Sequence, residues 1–162
     1  MTNSRPHPDG FHHRRPRRRG LRLSGASRPV LLGREFTLQV LSDWGFLPGR
    51  PDPFGQDAVD DVLLIASEVL SNACLHAGGP TEMVITVSDR VLRVEVLDAD
   101  PRAPDPRVPQ RQGAPGGHGL HIVQRLSDRW GTEDRDHGKA VWFEVGTARL
   151  AAALSEPSSR SR

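Results

Sequence analysis

The chain has 162 residues, a formal net charge of +2, a pI near 9.4 and one cysteine, Cys74. That length holds a single domain with a real core, and one cysteine excludes an internal disulfide or a multi-cysteine metal site. The longest apolar runs, such as residues 62–66, fall far short of the ~20 residues a membrane-spanning helix needs, so no membrane association is expected.

The basic character is local. Residues 1–20 hold six arginines against Asp9 alone, a net of +5, which leaves −3 for the rest of the chain. No apolar stretch with a small-residue cleavage site follows these arginines, so a secretory signal is not expected and a cytoplasmic location is. Rich in Arg, His and Pro and without apolar periodicity, residues 1–20 are expected to be a disordered tail. With no aromatic interleaving, this tail is not expected to read a specific nucleic acid. Residues 21–150 form the expected domain, and residues 151–162 a flexible C-terminal tail.

Within the domain, residues 21–24 are predicted as a short strand. Ser27 is predicted to cap a helix over 29–44, with Val30, Leu31, Phe36, Val40 and Leu41 near one face. A Pro- and Gly-rich connection over 47–55 leads to the strongest helical signal, residues 57–76. There Val59, Val62, Leu63, Ala66, Val69, Leu70 and Ala73 recur at spacings of three and four; Cys74, beside them, is expected in the core. Residues 82–88 and 91–97 are rich in β-branched side chains and read as a hairpin turning at Ser88-Asp89-Arg90. Prolines and glycines over 101–117 mark a long surface loop. A third helix over 118–129 and a strand over 140–145 complete the order. Helices grouped around a hairpin and a further strand predict an α+β two-layer sandwich, a mostly antiparallel sheet covered on one face by helices.

Three features carry possible chemistry. Glu68, Asn72 and His76 are spaced by four, so one helix would present a carboxylate, an amide and an imidazole along one stripe; a solvated face would look the same. Asp98 ends an apolar strand, where its carboxylate would accept a hydrogen bond from a base's amino group or form a turn. Gly116-Gly117-His118-Gly119-Leu120 closes the loop and opens a helix, an arrangement that suits phosphate or a hinge. Gly138-Lys139 is not a P-loop, since Gly is absent at 133, and Ile122 stands where a dinucleotide fingerprint requires Gly.

Four segments in order carry a resemblance. They are Glu68-Val69-Leu70-Ser71-Asn72-Ala73-Cys74-Leu75-His76-Ala77, Val94-Glu95-Val96-Leu97-Asp98, Gly117-His118-Gly119-Leu120-His121-Ile122-Val123, and Gly138-Lys139-Ala140-Val141-Trp142-Phe143. Together they resemble the Bergerat ATP-binding fold of the GHKL superfamily, closest to the stand-alone anti-sigma-factor serine/threonine kinases. The resemblance spans roughly residues 21–147. It implies ATP and Mg²⁺ as ligands, with Glu68 as general base and Asn72 on Mg²⁺. It further implies Asp98 on the adenine amino group, and the backbone of Gly117, His118, Gly119 and Leu120 around phosphate beneath a lid over 101–116. His76 would approach the phosphates or cap its helix. Ala140 stands where relatives often have a Thr that supports the adenine contact through water. A sigma factor or an anti-sigma-factor antagonist protein is the implied partner, and a homodimer the implied assembly. Two rivals remain: an ATP-binding module that controls a partner without catalysis, and a nucleic-acid-binding protein using the basic tail.

Overall fold

The structure is a computed structural model describing residues 15–47, 53–102 and 119–152. In chain order the elements are β1 (Arg17–Arg22), α1 (Pro29–Asp43), α2 (Pro53–His76), β2 (Pro80–Val87), β3 (Val91–Asp98), α3 (Gly119–Leu126), β4 (Arg129–Arg135), β5 (Gly138–Gly146) and α4 (Thr147–Ala152). The strands form one sheet in the order β1-β2-β3-β5-β4, every neighbouring pair antiparallel. Helix α2 lies at the centre of the helical layer, packed on α1, α3, α4, β2 and β3. The predicted α+β sandwich is the observed one. No helix among the described residues is long and apolar enough to cross a membrane.

Strand alternation decides which side of the sheet is covered. Met83, Ile85 and Val87 of β2, Leu92, Val94 and Val96 of β3, and Val141, Phe143 and Val145 of β5 are all buried in one core with Val59, Val62, Ala66, Val69 and Leu70 of α2. The register puts Ile85 opposite Val94, and Val94 opposite Phe143, so these period-two positions share a face. Cys74 is exposed rather than buried. It lies one residue, about 100°, beyond Ala73 and so leaves the apolar stripe.

Several boundaries differ from expectation. Strand β1 begins at Arg17, inside the stretch expected to be disordered, and pairs with β2 from Arg17↔Val87 to Arg22↔Glu82. Contacts with the end of α1 hold it as well: Arg19 Nη1 donates to Asp43 Oδ2 at 2.6 Å, and the Arg17 guanidinium stacks 5.0 Å from the Trp44 ring centroid. Ser27 does not cap α1. The cap position is Arg28, with no side-chain hydrogen bond, and Pro29 opens the helix with its φ already set. The inner face of α1 is Gly33, Thr37, Val40 and Leu41; Leu31 lies on the opposite side and is exposed. Helix α2 starts at Pro53, within the predicted connection, and α3 stops at Leu126. Strand β4 and helix α4 have no counterpart among the predicted elements.

The uncovered face of the sheet is ionic. Arg93 donates to Glu133 Oε1 at 2.5 Å, to Glu144 Oε1 at 3.1 Å and to Glu95 Oε1 at 3.3 Å, and lies 4.1 Å from the Trp142 ring centroid. Arg135 also bridges Glu95 and Glu133. One guanidinium thereby ties together β3, β4 and β5. The hydrogen bond from Arg93, helped by Arg135, holds the Glu133 carboxyl below its ordinary range. A depressed carboxyl contributes stability above its unfolded pKa of about 4.3, and the contribution is lost as pH falls through the lower folded value. Glu133→Gln is therefore expected to lower the melting temperature at pH 7 by about 2 °C, as suits a half-exposed pair. The gap from wild type should close as the pH falls below the ordinary carboxylate range. Paired thermal melts across pH 2–8 check this; a gap that stays constant with pH would contradict it.

Candidate functional site

The chain leaves α2 at His76 and enters β2 at Pro80, the register partner of Asp98. So short a connection forces the C-terminal end of α2 and the C-terminal end of β3 to the same edge of the sandwich. Backbone bonds close the end of α2, Gly79 N–H donating to Ala73 O at 3.0 Å.

Glu68 and Asn72, one turn apart on α2, are half-buried beneath the start of α3. Gly119 opens α3, is buried, and lies directly against both of them. A Cβ at Gly119 would be 2.7 Å from Glu68 Oε2 and 3.3 Å and 3.4 Å from Nδ2 and Oδ1 of Asn72. A side chain there would push the Glu68 carboxylate aside, so glycine lets the α3 backbone come this near with both polar groups left in place. Structure thus brings together three residues predicted from sequence: Glu68, Asn72 and Gly119. Leu120 follows, half-buried, on the first turn of α3. His76 is exposed at the end of α2. Gly117, His118 and residues 103–116 of the expected lid lie outside the described residues.

Asp98 faces the helical layer, since it continues the inward series Leu92, Val94, Val96, and it is only 4% exposed. Its Oδ1 accepts two hydrogen bonds, from Asp100 N–H at 2.9 Å and from Lys139 Nζ at 2.9 Å. The first is an Asx turn that bends the chain as β3 ends. The same device recurs at once, with Arg102 N–H donating to Asp100 Oδ1 at 3.0 Å. The Arg102 guanidinium holds the Asp100 carboxyl well below the usual carboxylate range.

Lys139 was not among the residues singled out from sequence. It is 5% exposed, a burial lysine tolerates only when paired. Its ammonium donates to Asp98 Oδ1 and, at 2.8 Å, to Asp100 O. Asp98 and Lys139 are register partners on β3 and β5. Alternation could have found it: counting inward positions back from Phe143 through Val141 reaches 139, not 140. The residue beside Asp98 is therefore Lys139, whereas Ala140 pairs with Leu97 and faces the other side of the sheet.

Gly138 makes that pairing possible. Its φ is +139°, and a Cβ on it would fall 1.9 Å from the Asp98 carbonyl oxygen. Both the backbone conformation and the contact exclude a side chain. Gly138→Ala is expected to cost about 2 kcal/mol or more by urea denaturation. His137→Ala, one residue away and exposed, should stay within about 0.5 kcal/mol of wild type. Equal midpoints for the two variants would show that the close approach is not needed.

In chemical terms the site offers oxygen donors at Glu68 and Asn72, a helix start at Gly119 with no side chain in the way, and a buried acceptor at Asp98. No cluster of three His, Cys, Asp or Glu residues among the described residues would hold a metal. A cation here would therefore be shared between Asn72 and the oxygens of a ligand, the mode Mg²⁺ favours. The half-buried Asn72 amide beside Gly119 offers one such oxygen.

Comparison with curated proteins finds no match. Among protein families, the histidine kinase-like ATPase domain matches residues 38–145, a span running from the second half of α1 to the last residues of β5 and containing Glu68, Asn72, Asp98, Gly119 and Lys139. This chain belongs to the histidine kinase-like ATPase domain family of the GHKL superfamily, whose members bind ATP.

Proposed function

We propose that the protein is an ATP-dependent regulator of the anti-sigma-factor type, a cytoplasmic protein that transfers phosphate to a serine or threonine of a small antagonist protein and so controls transcription. The observation that carries this is the contact of Gly119 with both Glu68 and Asn72. It sets a carboxylate and an amide oxygen at the mouth of a helix N-terminus, where backbone N–H groups and the helix dipole favour phosphate.

In this proposal Asp98 accepts a hydrogen bond from the exocyclic amino group of adenine. Backbone N–H groups of Gly119 and Leu120 at the start of α3, together with those of Gly117 and His118 in the sequence before it, hold the phosphates. The Asn72 amide oxygen would hold Mg²⁺ together with phosphate oxygens and water, where the ion neutralises charge on the transferring group. Glu68 acts on the partner's hydroxyl: as the hydroxyl oxygen bonds to the γ-phosphorus and the bond to ADP breaks, its proton passes to the Glu68 carboxylate. Positioning does most of the work in such a transfer, which suits a site with few charged groups. The partner would be a sigma factor or its antagonist, and the active assembly a homodimer.

Asn72→Ala and Asp98→Ala are each expected to abolish saturable Mg²⁺–ATP binding by calorimetry. Gly119→Ala should weaken it at least tenfold while changing stability by no more than about 1 kcal/mol, because alanine's gain in helix propensity offsets the crowding of Glu68. Wild type that is folded and yet does not bind ATP would overturn the proposal. Glu68→Gln should retain ATP binding and lose transfer of γ-phosphate label to the antagonist protein by at least a hundredfold. Wild type that binds ATP and labels no antagonist would instead identify a module that controls its partner by conformation.

A further inference from the structure

Lys139 has no part in the proposed phosphate chemistry, yet among the described residues it is one of three buried polar or charged ones, with Thr37 and Asp98. Thr37 is satisfied within its own helix, its hydroxyl donating to Gly33 O at 2.7 Å. Lys139 instead reaches across to the next strand and places an ammonium 2.9 Å from the carboxylate assigned to the base. A lysine needed only for stability would gain more by packing as an apolar side chain, since a buried ion pair rarely outweighs its own desolvation. An ammonium has three N–H donors, and two are used, on Asp98 Oδ1 and Asp100 O.

We infer that Lys139 is a base-reading residue, its third N–H donating to N1 of adenine while Asp98 accepts from the N6 amino group. This rests on the proposed ATP site and adds to it the means of choosing the base. Adenine presents a donor at N6 and an acceptor at N1, side by side on one edge. Asp98 and Lys139 present an acceptor and a donor side by side on one sheet face, held in register by β3 and β5. Guanine in the same orientation presents an acceptor at O6 and a donor at N1. Both contacts would then be repulsive, and with the phosphates fixed at α3 the base cannot simply turn over. A carboxylate alone would read one of these two positions. The pair reads both, so discrimination between the purines follows from leaving a buried polar group unpaired in the wrong complex.

The test compares ATP with 1-deaza-ATP, in which a C–H replaces N1, by calorimetry on wild type, Lys139→Met and Lys139→Gln. Wild type is expected to bind ATP about tenfold or more tightly than 1-deaza-ATP, the range for a hydrogen bond from a charged donor. Lys139→Met should bind the two nucleotides equally, and ATP more weakly than wild type does. Lys139→Gln keeps an N–H donor beside Asp98, should remain folded, and is expected to recover part of the preference. It decides the matter where Lys139→Met leaves Asp98 without a partner and fails to fold. Wild type that binds both nucleotides equally would overturn the inference while leaving the ATP site intact. So would a Lys139 variant that keeps the full wild-type preference, or one that binds ATP more tightly than wild type, which would make Lys139 a stopper on Asp98. Wild type that binds neither nucleotide would remove the ATP proposal itself.

Discussion

A five-stranded antiparallel sheet with helices on one side can bury only one of its faces, and α2 is the element that does most of the burying. Its apolar stripe from Val59 to Ala73 must lie on β2 and β3 for the core to close. That orientation leaves no choice for the residues at the margin. Glu68 and Asn72 are carried to the rim of the helical layer, where α3 also docks on α2. The position of these two side chains is thus a by-product of hydrophobic burial. What remains for specific residues is to let the other elements come close enough, and this is the work of two glycines. Gly119 lets α3 reach Glu68, and Gly138 lets β5 reach the end of β3.

The second half of the site depends on charge. Asp98 and Lys139 are taken out of water together, and each is tolerable only because of the other. Removing one partner of such a pair costs about 3–5 kcal/mol, a large share of the stability of a domain this size. The pair also fixes the carboxylate. With Oδ1 tied to Lys139 and to the Asp100 amide, the group cannot rotate freely, and the same amide bond begins the pair of Asx turns that redirect the chain after β3. Asp98 thus forms the turn while its carboxylate stays buried and faces the helical layer, so the turn does not use up the residue.

Much of this was legible in the sequence because it depended on local pattern. The spacing of Glu68 and Asn72 on the most periodic helix, the abrupt end of an apolar strand at Asp98, and the glycine before Leu120 each pointed to the place where the structure puts them. Features that depend on pairing across the chain were not legible. Arg17 and Arg19 have no strand pattern; they are ordered by ladder bonds to β2 and by Trp44 and Asp43 on α1. Strand β4 is polar almost throughout, since it lies at the sheet edge and pairs along one side alone. Cys74 misled for a simpler reason, as neighbours on a helix do not share a face. Lys139 was visible in principle, but its meaning came from the residue opposite, forty-one positions earlier.

The ionic outer face has a consequence for how the molecule lives among other proteins. Where two sheets meet in a sandwich, each offers the other a dry surface. Here the face away from the helices carries Arg93, Arg135, Glu95, Glu133 and Glu144 in a mesh that spans three strands. Each charge is already answered by a neighbour, so the face offers little to a charged stranger, and water must be stripped from all of them before another sheet could stack on it. The mesh works as a permanent refusal of face-to-face association, leaving the rim of the helical layer and the strand edges as the parts of this small domain open to company.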